Sequence, residues 1–117
     1  MTRWCAATLL GAAFPLSVAS AEHAFTLVTV NGTLPQHQQV LRVTKGDAVA
    51  VSLTSDLPGE FHLHGYRLAA TVIAGKPAHW RFIAHATGRY RLEWHAAADA
   101  SVRHHGPPLA LLEVMPK

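Results

Sequence analysis

Ala48-Val49-Ala50-Val51-Ser52-Leu53-Thr54 alternates without a break, with Val49, Val51 and Leu53 on one side and Ala48, Ala50, Ser52 and Thr54 on the other. A repeat of two belongs to a β-strand, whose successive side chains point to opposite faces, so the stretch predicts a strand with one face in a core. Lys45-Gly46-Asp47 before it reads as a turn, and residues 40–44 before that as another strand. Upstream, residues 24–30 form a β-branched segment that ends at Asn31-Gly32, a pair that tolerates positive φ.

Downstream, Asp56-Leu57-Pro58-Gly59 is a loop, residues 60–68 look extended, and residues 69–72 continue them. Gly75-Lys76-Pro77 turns the chain into a strand over 78–84. In the next strand, 89–95, Tyr90, Leu92 and Trp94 share one face, while Arg91, Glu93 and His95 share the other. Pro107-Pro108 interrupts regular pairing before a closing strand over 109–115. About seven short strands separated by turns, with no convincing helix, predict an all-β two-sheet sandwich.

The chain has 117 residues, 50% of them apolar and 15% charged, a balance that favours one packed domain over disorder. Its formal charge is +3, but the basic residues are scattered singly. Arg89 and Arg91 flank Tyr90 on one strand, which reads as a solvated face, so nucleic acid is not an expected partner.

Arg3, the apolar stretch 4–14 and Ala19-Ser20-Ala21 together read as a signal peptide over 1–21 with cleavage after Ala21. Pro15 and the shortness of the stretch argue against a membrane anchor, which needs about 20 apolar residues. The expectation is a periplasmic or secreted domain over 22–117 with no membrane span. Cys5 leaves with the leader, and the remaining chain has no cysteine with which to form a disulfide.

The order of Lys45-Gly46-Asp47, alternating strand, His62-Leu63-His64-Gly65-Tyr66, then Thr87-Gly88-Arg89-Tyr90-Arg91-Leu92-Glu93-Trp94-His95 and a closing strand resembles the cupredoxin family, in particular small bacterial periplasmic members. The resemblance implies an all-β, cupredoxin-like Greek-key β-sandwich of about seven strands, and a copper site with a first histidine in the segment matching His64-Gly65-Tyr66. It also implies a cysteine at the end of the aromatic strand, a histidine in the next loop, and a methionine before the last strand. This sequence departs from that pattern: Trp94 stands at the cysteine position, with His95 one residue later, and Met115 is the only methionine beyond the leader. A blue-copper centre requires thiolate, so electron transfer through one is not expected.

Nine histidines remain to be explained. His62 and His64 are two apart in an extended segment, so their rings lie on one side roughly 7 Å apart and can converge on an ion. His95 is the third candidate, and His104 or His105 can complete a shell at one pole of the sandwich. An all-imidazole set suits Cu(II), with zinc or nickel as alternatives. Against this stands the plainer reading that these are surface histidines, with His62 hydrogen-bonded to a neighbouring carboxylate such as Glu60 or Glu93; the same carboxylates also suit partners that fix a ligand's tautomer. His23, His37, His79 and His85 read as surface residues only.

No nucleophile elbow, phosphate loop or carboxylate pair accompanies the histidines, so the domain is not expected to be an enzyme. The sequence points to a copper-binding module for storage, buffering or delivery, its partners the ion and a periplasmic protein. A metal-free interaction or structural sandwich is the main alternative. A domain that lends a mononuclear copper site to an enzyme partner is a third.

Overall fold

In the computed structural model, which describes residues 2, 7–15, 20–99 and 106–117, eight strands account for most of the domain. They are β1 Glu22–Thr29, β2 Val40–Thr44, β3 Ala48–Ser55, β4 Gly59–Leu63, β5 Leu68–Val72, β6 Ala78–Ile83, β7 Gly88–Ala96 and β8 Ala110–Met115. Two short 3₁₀ turns, Gln36–Gln38 and Ala97–Asp99, sit in the connections. Leu9, Leu10 and Phe14 of the apolar N-terminal stretch stand exposed and add nothing to the core. No helix among the described residues is long and apolar enough to cross a membrane.

The strands form two sheets, β1-β3-β6 and β2-β8-β7-β4-β5. Apart from the pairs β4–β5 and β7–β8, which stay in one sheet, successive strands pass from one sheet to the other, and the two sheets bury their inner faces against each other. Most pairs are antiparallel, but β1 runs parallel to β3 and β2 parallel to β8.

The predicted alternation holds in β3: Val49, Val51 and Leu53 are buried and the residues between them are not. They meet Leu27 of β1 and Trp80 of β6 within their own sheet, and Phe61, Leu63, Leu92, Leu112 and Val114 from the opposite one, in a single core. Each such side chain contributes about 1.5–3 kcal/mol through removal of its apolar surface from water.

The expected continuous segment through 60–72 is instead a hairpin. The chain turns over at 64–67, where Gly65 has φ 80° and Arg67 φ 54°, so β4 and β5 pair antiparallel with His62 opposite Ala69. This turn is the reason for eight strands where seven were expected. Gly65 is required twice over, because a Cβ there would run into the Tyr90 ring.

Candidate metal centre

β4 and β7 are neighbours with Phe61 opposite Trp94, His62 opposite Glu93 and Glu60 opposite His95. Because faces alternate along both strands, Phe61, Leu63, Leu92 and Trp94 go to the core, whereas Glu60, His62, Glu93 and His95 share the outer face of the five-stranded sheet. Small or short residues on β5, Ala69 opposite His62 and Thr71 opposite Glu60, leave that face open at its edge. His64, in the turn after β4, is 46% exposed and completes the patch.

Glu93 is the hub. Its Oε2 lies 2.9 Å from His64 Nε2 and 3.4 Å from His95 Nε2, while Oε1 accepts a hydrogen bond from Arg91 Nε at 3.1 Å. The rings of His62 and His64 are tilted against each other with centroids 4.3 Å apart. Partial burial pushes the Glu93 carboxyl up, but hydrogen bonds from His64 and Arg91 and their charges outweigh it and hold the group below its ordinary 4.5. Arg91 also donates from its Nη2 to the carbonyl of Gly106 at 2.9 Å, tying β7 to the far end of the β7–β8 connection.

Of the five histidines expected to ligate, the structure brings His62, His64 and His95 onto one patch. That patch lies on a sheet face, because the strand pairing sets Glu93 and His95 beside β4 along its length, and through those two residues it borders the groove beside Trp94. His104 and His105 lie outside the described residues. Among the described residues, no group of three or more histidine, cysteine or acidic side chains is arranged to hold a metal ion as it stands.

A blue-copper centre does not fit. Trp94 packs on Phe61 with ring centroids 4.7 Å apart, and the chain's one cysteine, Cys5, precedes the domain. The indole is accommodated by two glycines: a Cβ on Gly32 would lie 2.9 Å from Trp94 Cδ1, and one on Gly59 would lie 2.5 Å from Trp94 Cη2. A groove of about 490 Å³ opens beside it, lined in part by Asn31, Leu34, Leu57, Trp94, His95 and Pro107.

Sequence reasoning missed a second polar hub. Asp47, buried between β2 and β3, accepts the Thr44 N–H at 2.9 Å and the Ala21 N–H at 3.2 Å, and its Oδ2 lies 2.8 Å from His23 Nε2. The Thr44 amide is the main reason its carboxyl lies below the ordinary value; burial opposes this, and His23 adds to it. The aspartate that follows the Lys45-Gly46 turn was the available signal, since a carboxylate there can cap backbone amides of its own turn. The two arginines beside Tyr90 are likewise accounted for: Arg91 bonds Glu93, and Arg89 lies 3.6 Å from Glu113.

No family model matches the sequence, and no curated protein matches it. Solved structures do. A heme-copper terminal oxidase dimer aligns with TM-score 0.66 at 17% identity, over 85% of this chain and 67% of that one. The multicopper oxidase mgLAC aligns with TM-score 0.62 at 22% identity, over 83% of this chain and 40% of that one. A blue copper oxidase from Nitrosomonas europaea aligns with TM-score 0.59 at 19% identity, over 82% of this chain and 39% of that one. The chain thus spans about two fifths of the length of these two copper oxidases. At such identities the likeness speaks for the fold alone, and the fold is a cupredoxin-like β-sandwich.

Proposed function

We propose that this chain is an exported metal-binding module that takes up copper as Cu(II), for storage, buffering or delivery to a protein partner. It does so without a blue-copper redox role and without a reaction of its own. His62, His64 and His95 are its principal ligands, and His104 or His105 adds another. The observation that carries this reading is the meeting of His64 and His95, from separate segments, on one carboxylate oxygen of Glu93. Nitrogen and oxygen donors of this kind suit Cu(II), and zinc after it. The copper in the names of the structural neighbours is in keeping with the reading.

Export is supported by Ala19-Ser20-Ala21 and by the exposure of Leu9, Leu10 and Phe14 outside the sandwich. N-terminal sequencing of protein recovered from the periplasm checks it, with Glu22 as the expected first residue.

Calorimetric titration with Cu(II) tests the metal reading. Binding to the folded protein no tighter than to a urea-denatured control removes it. A second reading, a metal-free interaction or structural domain, has one observation in its favour: Glu93 already satisfies its histidines and Arg91 without an ion. On that reading Cu(II) and Zn(II) leave the melting temperature unchanged.

A further inference from the structure

Glu93 invites a stronger role than orienting a histidine. We infer that Glu93 is itself a ligand, binding a divalent cation of the Cu(II) or Zn(II) class through Oε2 together with His64 and His95; the inference rests on the metal-binding reading above. Two donors held 2.0–2.1 Å from one ion are about 2.9 Å apart at a right angle and about 3.4 Å apart at a tetrahedral angle. These are the spacings of the two pairs here, 2.9 Å from Oε2 to His64 Nε2 and 3.4 Å from Oε2 to His95 Nε2. The three side chains do not enclose an ion as they stand, so binding replaces the imidazole protons that face the carboxylate only once His64, the most exposed of the three, turns its ring toward the ion.

The carboxylate is also held for such a role. Arg91 engages Oε1 and is anchored in turn on the Gly106 carbonyl, so Oε2 alone is presented to the two rings. A carboxylate that served only to fix tautomers would bond the ring nitrogen remote from the ion. Here Nε2 of both rings faces Glu93, and the two side chains are 46% and 29% exposed to an incoming cation. The expected donors are thus Glu93 Oε2 with one nitrogen each from His64 and His95, to which His62, its ring tilted against that of His64, adds another.

The test compares the wild-type protein with Glu93→Gln and Glu93→His by calorimetry with Cu(II) and by EPR of the Cu(II) form. In Glu93→Gln the side-chain amide oxygen still accepts hydrogen bonds from both imidazoles but is a poor ligand. Loss of a partner that only orients a ligand costs about 10–100-fold in affinity, so a ligand's loss is expected to exceed about 100-fold. It is also expected to change the copper hyperfine parameters. Glu93→His is expected to restore binding with one more imidazole nitrogen in the pulsed EPR pattern. Unchanged EPR parameters in Glu93→Gln overturn the inference and leave the metal reading standing, whereas a wild-type protein that does not bind overturns both. Melting curves in chelator show whether Glu93→Gln folds; should it not, Glu93→His decides, and an unchanged nitrogen count overturns the inference.

Discussion

Asp47 and Glu93 are single carboxylates that each gather partners from distant segments, and each ties stability to pH in the same sense. A carboxyl group held below its ordinary value in the folded state stabilises that state above its unfolded-state pKa. The contribution is lost as pH falls through the folded value. For Asp47, whose ordinary value is 3.8, Asp47→Asn is therefore expected to melt several degrees lower than wild type from neutral pH down to about pH 4. The difference should close at lower pH, where the wild-type carboxyl is itself protonated; a gap that persists in strong acid means that shape, not charge, is what the Thr44 and Ala21 amides require. Arg91 presents a different balance, since its guanidinium both restrains Glu93 and places a positive charge beside an incoming cation. Arg91→Gln is expected to tighten Cu(II) binding several-fold, read by calorimetry. It should also lower apo stability by no more than about 1 kcal/mol, as for other half-exposed ion pairs, read by urea titration.

Among the elements, the β4–β7 pair decides where the histidines go, and its tightest point is Gly59. A Cβ there would collide with the His95 carbonyl oxygen and lie 2.5 Å from Trp94 Cη2, so Gly59→Ala must splay the two strands or displace the indole. Overpacking of this kind costs about 1–3 kcal/mol, measurable as a lower urea midpoint. Adding Trp94→Phe should recover only part of that loss, because one of the two collisions is with backbone; full recovery would show that the strands yield freely. The alternation of β3 and β7 could be read from sequence because a period of two depends only on neighbouring residues, and Val49, Val51, Leu53, Leu92 and Trp94 fell on the faces expected. The turn at 64–67 was announced only by Gly65, since Arg67 adopts a positive φ with nothing in its side chain to signal it. The parallel partnerships β1–β3 and β2–β8 also escaped, since partner choice is settled by burial across the whole sandwich and not by either strand alone. For the site, the histidine spacing was visible, but Glu60 and Glu93 were equivalent until the pairing set Glu93 opposite His62 and Glu60 opposite His95.

At the scale of the molecule, a sandwich offers two kinds of place for an ion, its poles and its outer faces, and they are distinguishable in solution. The inner faces of packed sheets lie about 10 Å apart, so an ion on the outer face of the five-stranded sheet is well removed from β1, β3 and β6. Paramagnetic Cu(II) broadens amide resonances steeply with proximity. Sub-stoichiometric Cu(II) is therefore expected to erase the signals of His62, Ala69, Arg91, Glu93 and His95 first, while Leu27, Val51 and Trp80 in the opposite sheet stay sharp. Glu93 and His95 also border the groove beside Trp94, so the deciding signals are the others: broadening centred on Asn31, Leu34 and Leu109, with His62 and Ala69 left sharp, would move the ion into that groove and change the set of residues that holds it. The same samples carry a thermodynamic counterpart. Because an ion that prefers the folded state stabilises it by mass action, free Cu(II) at about one hundred times its dissociation constant should add about 2.7 kcal/mol, seen as a rise in melting temperature that grows with copper. That rise should vanish in a His64→Ala, His95→Ala double variant. Its survival there would place the tight site elsewhere, even if the outer face still took up copper weakly.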